Sequence, residues 1–339
     1  MDRAGAALNR LPRWLVPALL ALPVVGLAVF YLWPLGTLFT RVLQPSSVSD
    51  ALSRPGLGRV VWFTLWQAAL STVLTLAVGF APAYVLSRFR FPGRRALLAT
   101  VTVPFMLPTV VVGAAFLALL PSSWHGTAGA VVVAHVFFNI AVVVRLVGAM
   151  WAVLPTDLTA AARTLGASPR QVLRHVVLPL LKPGLWAAAT VVFLFTFTSF
   201  GAARLLGGAA NPTLEVEIAR RATQLGDVDG AAVLSLLQLL VLAGVVWWSA
   251  RWQRRATVQL GGGAAGGGRR VRGVVQRRFV TAVAVCTALV MVTPLVVMVS
   301  RSFRLGEGWS LRAWRTLGTA EVRPGVRLGV DPLASLSTS

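Results

Sequence analysis

Long apolar runs alternate with short, arginine-bearing polar interruptions along most of this chain. A helix rises 1.5 Å per residue, so about 20 consecutive apolar residues cross the hydrocarbon core of a bilayer. Seven stretches meet that length: 14–39, 60–86, 96–120, 127–153, 184–206, 231–250 and 279–300. None of the seven contains Asp or Glu. The pattern predicts an all-α integral membrane protein. The first stretch is N-terminal and follows arginines, as a signal peptide would. It exceeds a signal peptide's apolar core, carries Trp14, Tyr31 and Trp33 near its ends like interfacial anchors, and lacks a clear small-residue cleavage site, so it reads as a span.

The interruptions supply an orientation. With the N-terminus in the cytoplasm, the inside segments hold Arg3, Arg10 and Arg13, then Arg88, Arg90, Arg94 and Arg95, then Arg163, Arg170, Arg174 and Lys182. The next inside segment runs from Arg251 to Arg278 with no acidic residue. The outside segments are neutral or mixed: 121–126 offers only His125, and 207–230 sets Arg220 and Arg221 against Glu215, Glu217, Asp227 and Asp229. Basic residues collect on the cytoplasmic side of membrane proteins, which selects this orientation for a multi-pass chain.

Composition narrows the chemistry. At 56% hydrophobic and 12% charged over 339 residues, too little polar surface exists to cover a soluble core. A net charge of +22 invites nucleic acid, but the arginines punctuate the spans instead of lining one face, so none is expected. Cys286 is the only cysteine, which excludes disulfides. His125, His135 and His175 are scattered, and neither a metal site nor a catalytic constellation is expected. A membrane enzyme or a proton- or sodium-coupled transporter would use intramembrane carboxylates, absent from the spans. The glycines of 261–268 resemble a flexible linker. A phosphate-binding loop needs Lys followed by Ser or Thr, whereas Lys182, the only lysine, precedes Pro183, so the chain itself binds no ATP or magnesium.

The loop between the fourth and fifth runs carries the most specific pattern: Ala160-Ala161-Ala162-x3-Gly166-x9-Val176-x-Leu178-Pro179. It predicts a short helix entered through Thr156 and Asp157, a break at Gly166, and a second short helix stopped by Pro179. Ser168, Pro169 and Gln171 supply a capping box with proline at the first helical position. This spacing resembles the EAA loop of binding-protein-dependent ABC importer permeases. Phe63–Ala68, Ser87–Arg95, Val103–Thr109 and Pro212–Ile218 are also similar to that family, and the resemblance covers essentially all of 1–339.

The resemblance implies a six-span type I permease domain and a cytoplasmic coupling helix that docks on a separate ATPase dimer, where ATP and Mg would bind. It also implies a solute-binding protein outside the membrane and a second permease half. On this footing Ala160, Ala161, Ala162, Arg163, Gly166, Ser168, Arg170, Val176, Leu178 and Pro179 are the coupling residues. The family's glutamate falls on Ala160, which removes any ion pair made there. The closest class fuses two halves on one chain, as in iron(III) and thiamine importers, which makes those solutes the expectation. Pro294-Leu295 resembles Pro34-Leu35 at similar depth. The organisation expected is therefore a first domain over 1–250, a linker over 251–278, and the start of a truncated second domain over 279–339. A non-transporting scaffold is the alternative.

Candidates for a translocation cavity are His135 and Asn139, one turn apart, with Thr196, Thr198 and Ser199. Each also has a structural reading, since hydroxyls bond back to their own helix and Asn joins helices. Arg145 reads as structural. In 207–230 a helix starting at Asn211-Pro212 would line Leu214, Ile218 and Leu225 on one face and expose Glu215, Glu217, Arg220 and Arg221. It fits either a binding-protein contact or a helix lying on the bilayer.

Overall fold

The computed structural model describes residues 15–42, 45–255, 268–305, 308–315, 321–323 and 326–327. Among them, five helices are long and apolar enough to cross a membrane, or six if one bent pair counts as a span. The chain divides into two compact units, Met1–Arg59 with Glu217–Val241, and Val60–Val216 with Leu242–Ser339.

In the larger unit the central element is the helix Ala128–Val153, whose apolar positions are buried on nearly all sides. Two glycines let neighbouring helices approach it closely. A Cβ on Gly79 would lie 2.8 Å from Val143 Cβ, and one on Gly184 would lie 2.7 Å from Met150 Cγ. Membrane helices have little hydrophobic drive to associate with one another, so such close backbone packing supplies much of the attraction. One apolar cluster gathers Phe116, Val131, Phe137, Leu206 and Met291, and another gathers Val143, Trp151, Val172, Leu181 and Val192.

Several expectations change. The run 96–120 is not a straight span: helices Arg94–Met106 and Thr109–Leu119 meet at 105°. Leu107 is extended (φ −76°, ψ 144°) because the ring of Pro108 crowds a helical residue before it. The run 184–206 is also displaced. Its helix begins at Pro169, widens into a π turn over Leu173–Val177, continues over Leu178–Phe197, and is followed by a separate short helix, Gly201–Leu206. Pro179 does not stop it. The proline falls in the first turn of the α-helix that follows the π turn, a position that proline tolerates. The glycine-rich run 261–267 lies outside the described residues. Beyond it, Arg269–Arg270 pairs in parallel with Phe89–Arg90, so this end of the linker is anchored.

In the smaller unit the first apolar run is helical over Leu15–Leu27, passes a π turn at Ala28–Leu32, and continues over Trp33–Val42. Helix Leu214–Thr223 corrects the outside-loop expectation. It starts at Leu214, Leu225 is exposed, and Glu217 and Arg221 are buried at 7% and 3% exposure. Their burial is balanced by pairing: Arg221 Nε donates to Glu217 Oε1 at 3.0 Å, and Arg220 grips the same carboxylate through Nε and Nη2 at 2.8 and 2.9 Å. Arg54 closes the group by an ion pair to Asp227 at 3.0 Å. Burial pushes the Glu217 carboxyl up, but hydrogen bonds from Arg220 and Arg221 outweigh it and hold the group below the usual carboxylate range.

Candidate functional site

The loop between Val153 and Leu178 is built from short-range signals. Leu154 turns the chain out of its helix in extended conformation, and its carbonyl accepts from Arg88 Nη1 at 2.9 Å. Helix Thr156–Thr164 follows with Asp157 in its first turn, where a negative charge complements the helix dipole. The helix closes in a Schellman motif. Gly166 N donates to Arg163 O and Ala167 N to Ala162 O, both at 3.0 Å, with Gly166 in the left-handed region at φ 86°. The next helix opens through a reciprocal capping box: Ser168 N donates to Gln171 Oε1 at 2.8 Å, and Gln171 N to Ser168 Oγ at 3.4 Å.

These two turns set which side chains face inward. Val172 and Val177 are buried, Ala162 and Val176 pack partly against the same cluster, and Leu178 is half-buried. Ala160, Ala161, Arg163, Gly166, Ser168, Arg170 and Pro179 are exposed, so most of the proposed coupling residues lie on the surface of one protrusion. Leu165 was not singled out from sequence, yet it is 87% exposed beside Gly166. Its legible signal is a large apolar residue immediately before a helix-ending glycine in a polar loop.

Away from the loop, a buried polar layer joins three helices through Gln67, another residue whose role sequence reasoning missed. Gln67 Nε2 donates to Thr196 O at 3.0 Å and Thr64 O at 3.2 Å, and its Oε1 meets His135 Nδ1 at 3.0 Å. Asn139 Nδ2 donates to His135 O at 2.9 Å. Thr196 and Thr198 donate back to their own helix, at Val192 O and Leu194 O. Ser199 O accepts from Thr213 Oγ1 at 3.3 Å. His135, Asn139, Thr196 and Ser199 are therefore buried within the bundle, while Thr198 is half-buried. His135 Nε2, Asn139 Oδ1 and Ser199 Oγ are buried with no hydrogen-bond partner among the described residues.

A chain of the solved bacterial ABC transporter involved in the import of the acidic polysaccharide alginate superposes with a TM-score of 0.62 at 16% identity, covering 76% of this chain and 100% of that one. Residues 83–299 match the family described as binding-protein-dependent transport system inner membrane component, and the chain belongs to that family. The probable ABC transporter permease protein y4fN of Sinorhizobium fredii is 28% identical over 313 residues, covering 86% of this chain and 53% of the relative. The thiamine transport system permease protein ThiP of Salmonella typhimurium is 31% identical over 264 residues, covering 71% and 48%. The molybdenum transport system permease protein ModB of Mycobacterium tuberculosis is 34% identical over 260 residues, covering 70% and 92%. The chain thus spans about half the length of the first two relatives.

Proposed function

We propose that this chain is a transmembrane permease subunit of an ATP-driven importer, moving a small solute delivered by a binding protein into the cytoplasm by alternating access. The observation that carries the reading is the protrusion over 156–178, shaped by the Schellman motif and capping box and presenting Ala160, Ala161, Arg163, Leu165 and Arg170 outward. Small residues allow close docking, Leu165 offers an apolar anchor, and the arginines suit acidic groups on a separate ATPase dimer. ATP and magnesium belong to that partner. The N-terminus is cytoplasmic in this reading, which places the protrusion on the ATPase side. A second permease half completes the pathway.

The unpartnered atoms of His135, Asn139 and Ser199 mark where the pathway wall would gain partners when the bundle rocks, because buried polar groups are normally satisfied. Thiamine or iron(III) is the proposed solute, thiamine being supported by the likeness to the thiamine permease. An oxyanion is a second reading, favoured by the molybdenum relative. The test is co-expression with candidate ATPase subunits, cysteine cross-linking from Ala161→Cys, and uptake of thiamine, iron(III) and molybdate into proteoliposomes. ATP-dependent uptake with a cross-link supports the assignment. Absence of any ATPase partner would favour a scaffold, and ATP-independent, ion-driven uptake would favour a secondary transporter.

A further inference from the structure

A cleft of about 940 Å³ lies at the root of the protruding loop, walled by the ends of Leu57–Arg88 and Ala128–Val153, the helix Thr156–Thr164, and the linker strand Arg269–Arg270. Arg88, Arg163 and Arg269 line it against a single acid, Asp157, with Tyr84 and Phe279 among the apolar walls. Three segments far apart in sequence thus contribute one arginine each.

The linker's placement adds to the positive charge. In the parallel pairing of Phe89–Arg90 with Arg269–Arg270, Arg269 sits level with Phe89, one residue from Arg88. Like charges brought together at one cleft repel unless something offsets them. The approach is close. A Cβ on Gly268 would lie 3.3 Å from the Phe89 carbonyl carbon and 3.5 Å from that of Arg88. Arginine's planar fork binds phosphate oxygens in pairs, and basic pockets between membrane helices hold acidic headgroups.

We propose that this cleft binds a phosphate-bearing anion, held by Arg88, Arg163 and Arg269 with the aromatic side chains against its organic part. The anion offsets the arginine repulsion and ties the linker strand and the loop helix to the ends of two spans. Its influence on coupling rests on the function proposed above, whereas binding itself does not.

The test titrates the full chain, purified in neutral detergent, with dioctanoyl phosphatidylglycerol, dioctanoyl phosphatidylcholine and inorganic phosphate, reading bound mass by native mass spectrometry and the shift in melting temperature. Arg88 also holds Leu154 O, so the variants are Arg163→Gln and Arg269→Gln, whose side chains lie at exposed positions. Each should weaken binding about tenfold, as expected for loss of one charge-assisted hydrogen bond. Binding of phosphatidylglycerol alone identifies a lipid headgroup, and binding of inorganic phosphate identifies a soluble source; either supports the site if both variants weaken it. Equal binding of the net-neutral phosphatidylcholine, no binding at all, or unchanged affinity in both variants overturns it. Failure to recover an ATPase partner would leave these readouts intact.

Discussion

Replacing Gly166 by valine isolates the role of the loop from the stability of the bundle. A Cβ at Gly166 would meet nothing within 4 Å, so no clash arises and insertion should be unaffected. The cost is conformational. At φ 86° an L side chain is crowded against the following carbonyl, which costs about 1–2 kcal/mol, with β-branching at the upper end. Relief requires unwinding the turn, which gives up the hydrogen bonds from Gly166 N and Ala167 N. A change of that size alters a two-state population by a factor of roughly 5–30.

The assay is reconstitution with the partner ATPase and binding protein, reading solute imported per ATP hydrolysed. Gly166→Val should lower that ratio several-fold while protein yield and ATPase recovery stay near wild type. Gly166→Asn should retain most of it, because Asn tolerates the left-handed region, and Gly166→Ala should fall between. A normal ratio in the valine variant, or an asparagine variant as damaged as valine, would refute the reasoning.

Three further outcomes follow from the geometry. Ser168→Ala removes the capping acceptor and should cost about 1 kcal/mol, seen as faster hydrogen exchange in Pro169–Val177 with little change elsewhere. Glu217 has a folded pKa below its unfolded value, so its stabilising contribution is full above the ordinary carboxylate range and is lost as pH falls through the depressed folded value. Melting temperature measured against pH should therefore drop on acidification in wild type and lose that component in Glu217→Gln. Gly201→Val should reduce folded yield severely, since a Cβ there would lie 2.6 Å from both Thr109 Oγ1 and Val110 N; Gly244→Val, with nothing within 4 Å, is the tolerated control.

Most of the spans and the loop's turns were legible because their causes are short-range, whereas the run 14–39 yields only the shorter apolar helix Ala21–Thr37. Run length alone marks a segment that can satisfy its backbone within lipid, and the capping box and Schellman motif each close within five residues. Reading Pro179 as a stop failed for a related reason. Proline disfavours a helix interior without excluding it, as Pro82, Pro183 and Pro294 inside long helices show, so whether the chain continues past Pro179 depends on how Val172, Val177 and Leu181 pack.

Hydropathy and local capping signals are enough to imply a multi-pass helical membrane protein with a helix–turn–helix loop between its fourth and fifth runs. Long-range packing accounts for the 105° bend at Leu107-Pro108, the Gln67-centred polar layer, the burial of Glu217 with Arg221, and the convergence of Arg88, Arg163 and Arg269. Each of these depends on which backbone segments come within a few ångströms of one another. Hydropathy and local capping carry no record of that, because a polar residue's partner can be distant in the chain, as Gln67 and Thr196 are across 129 positions.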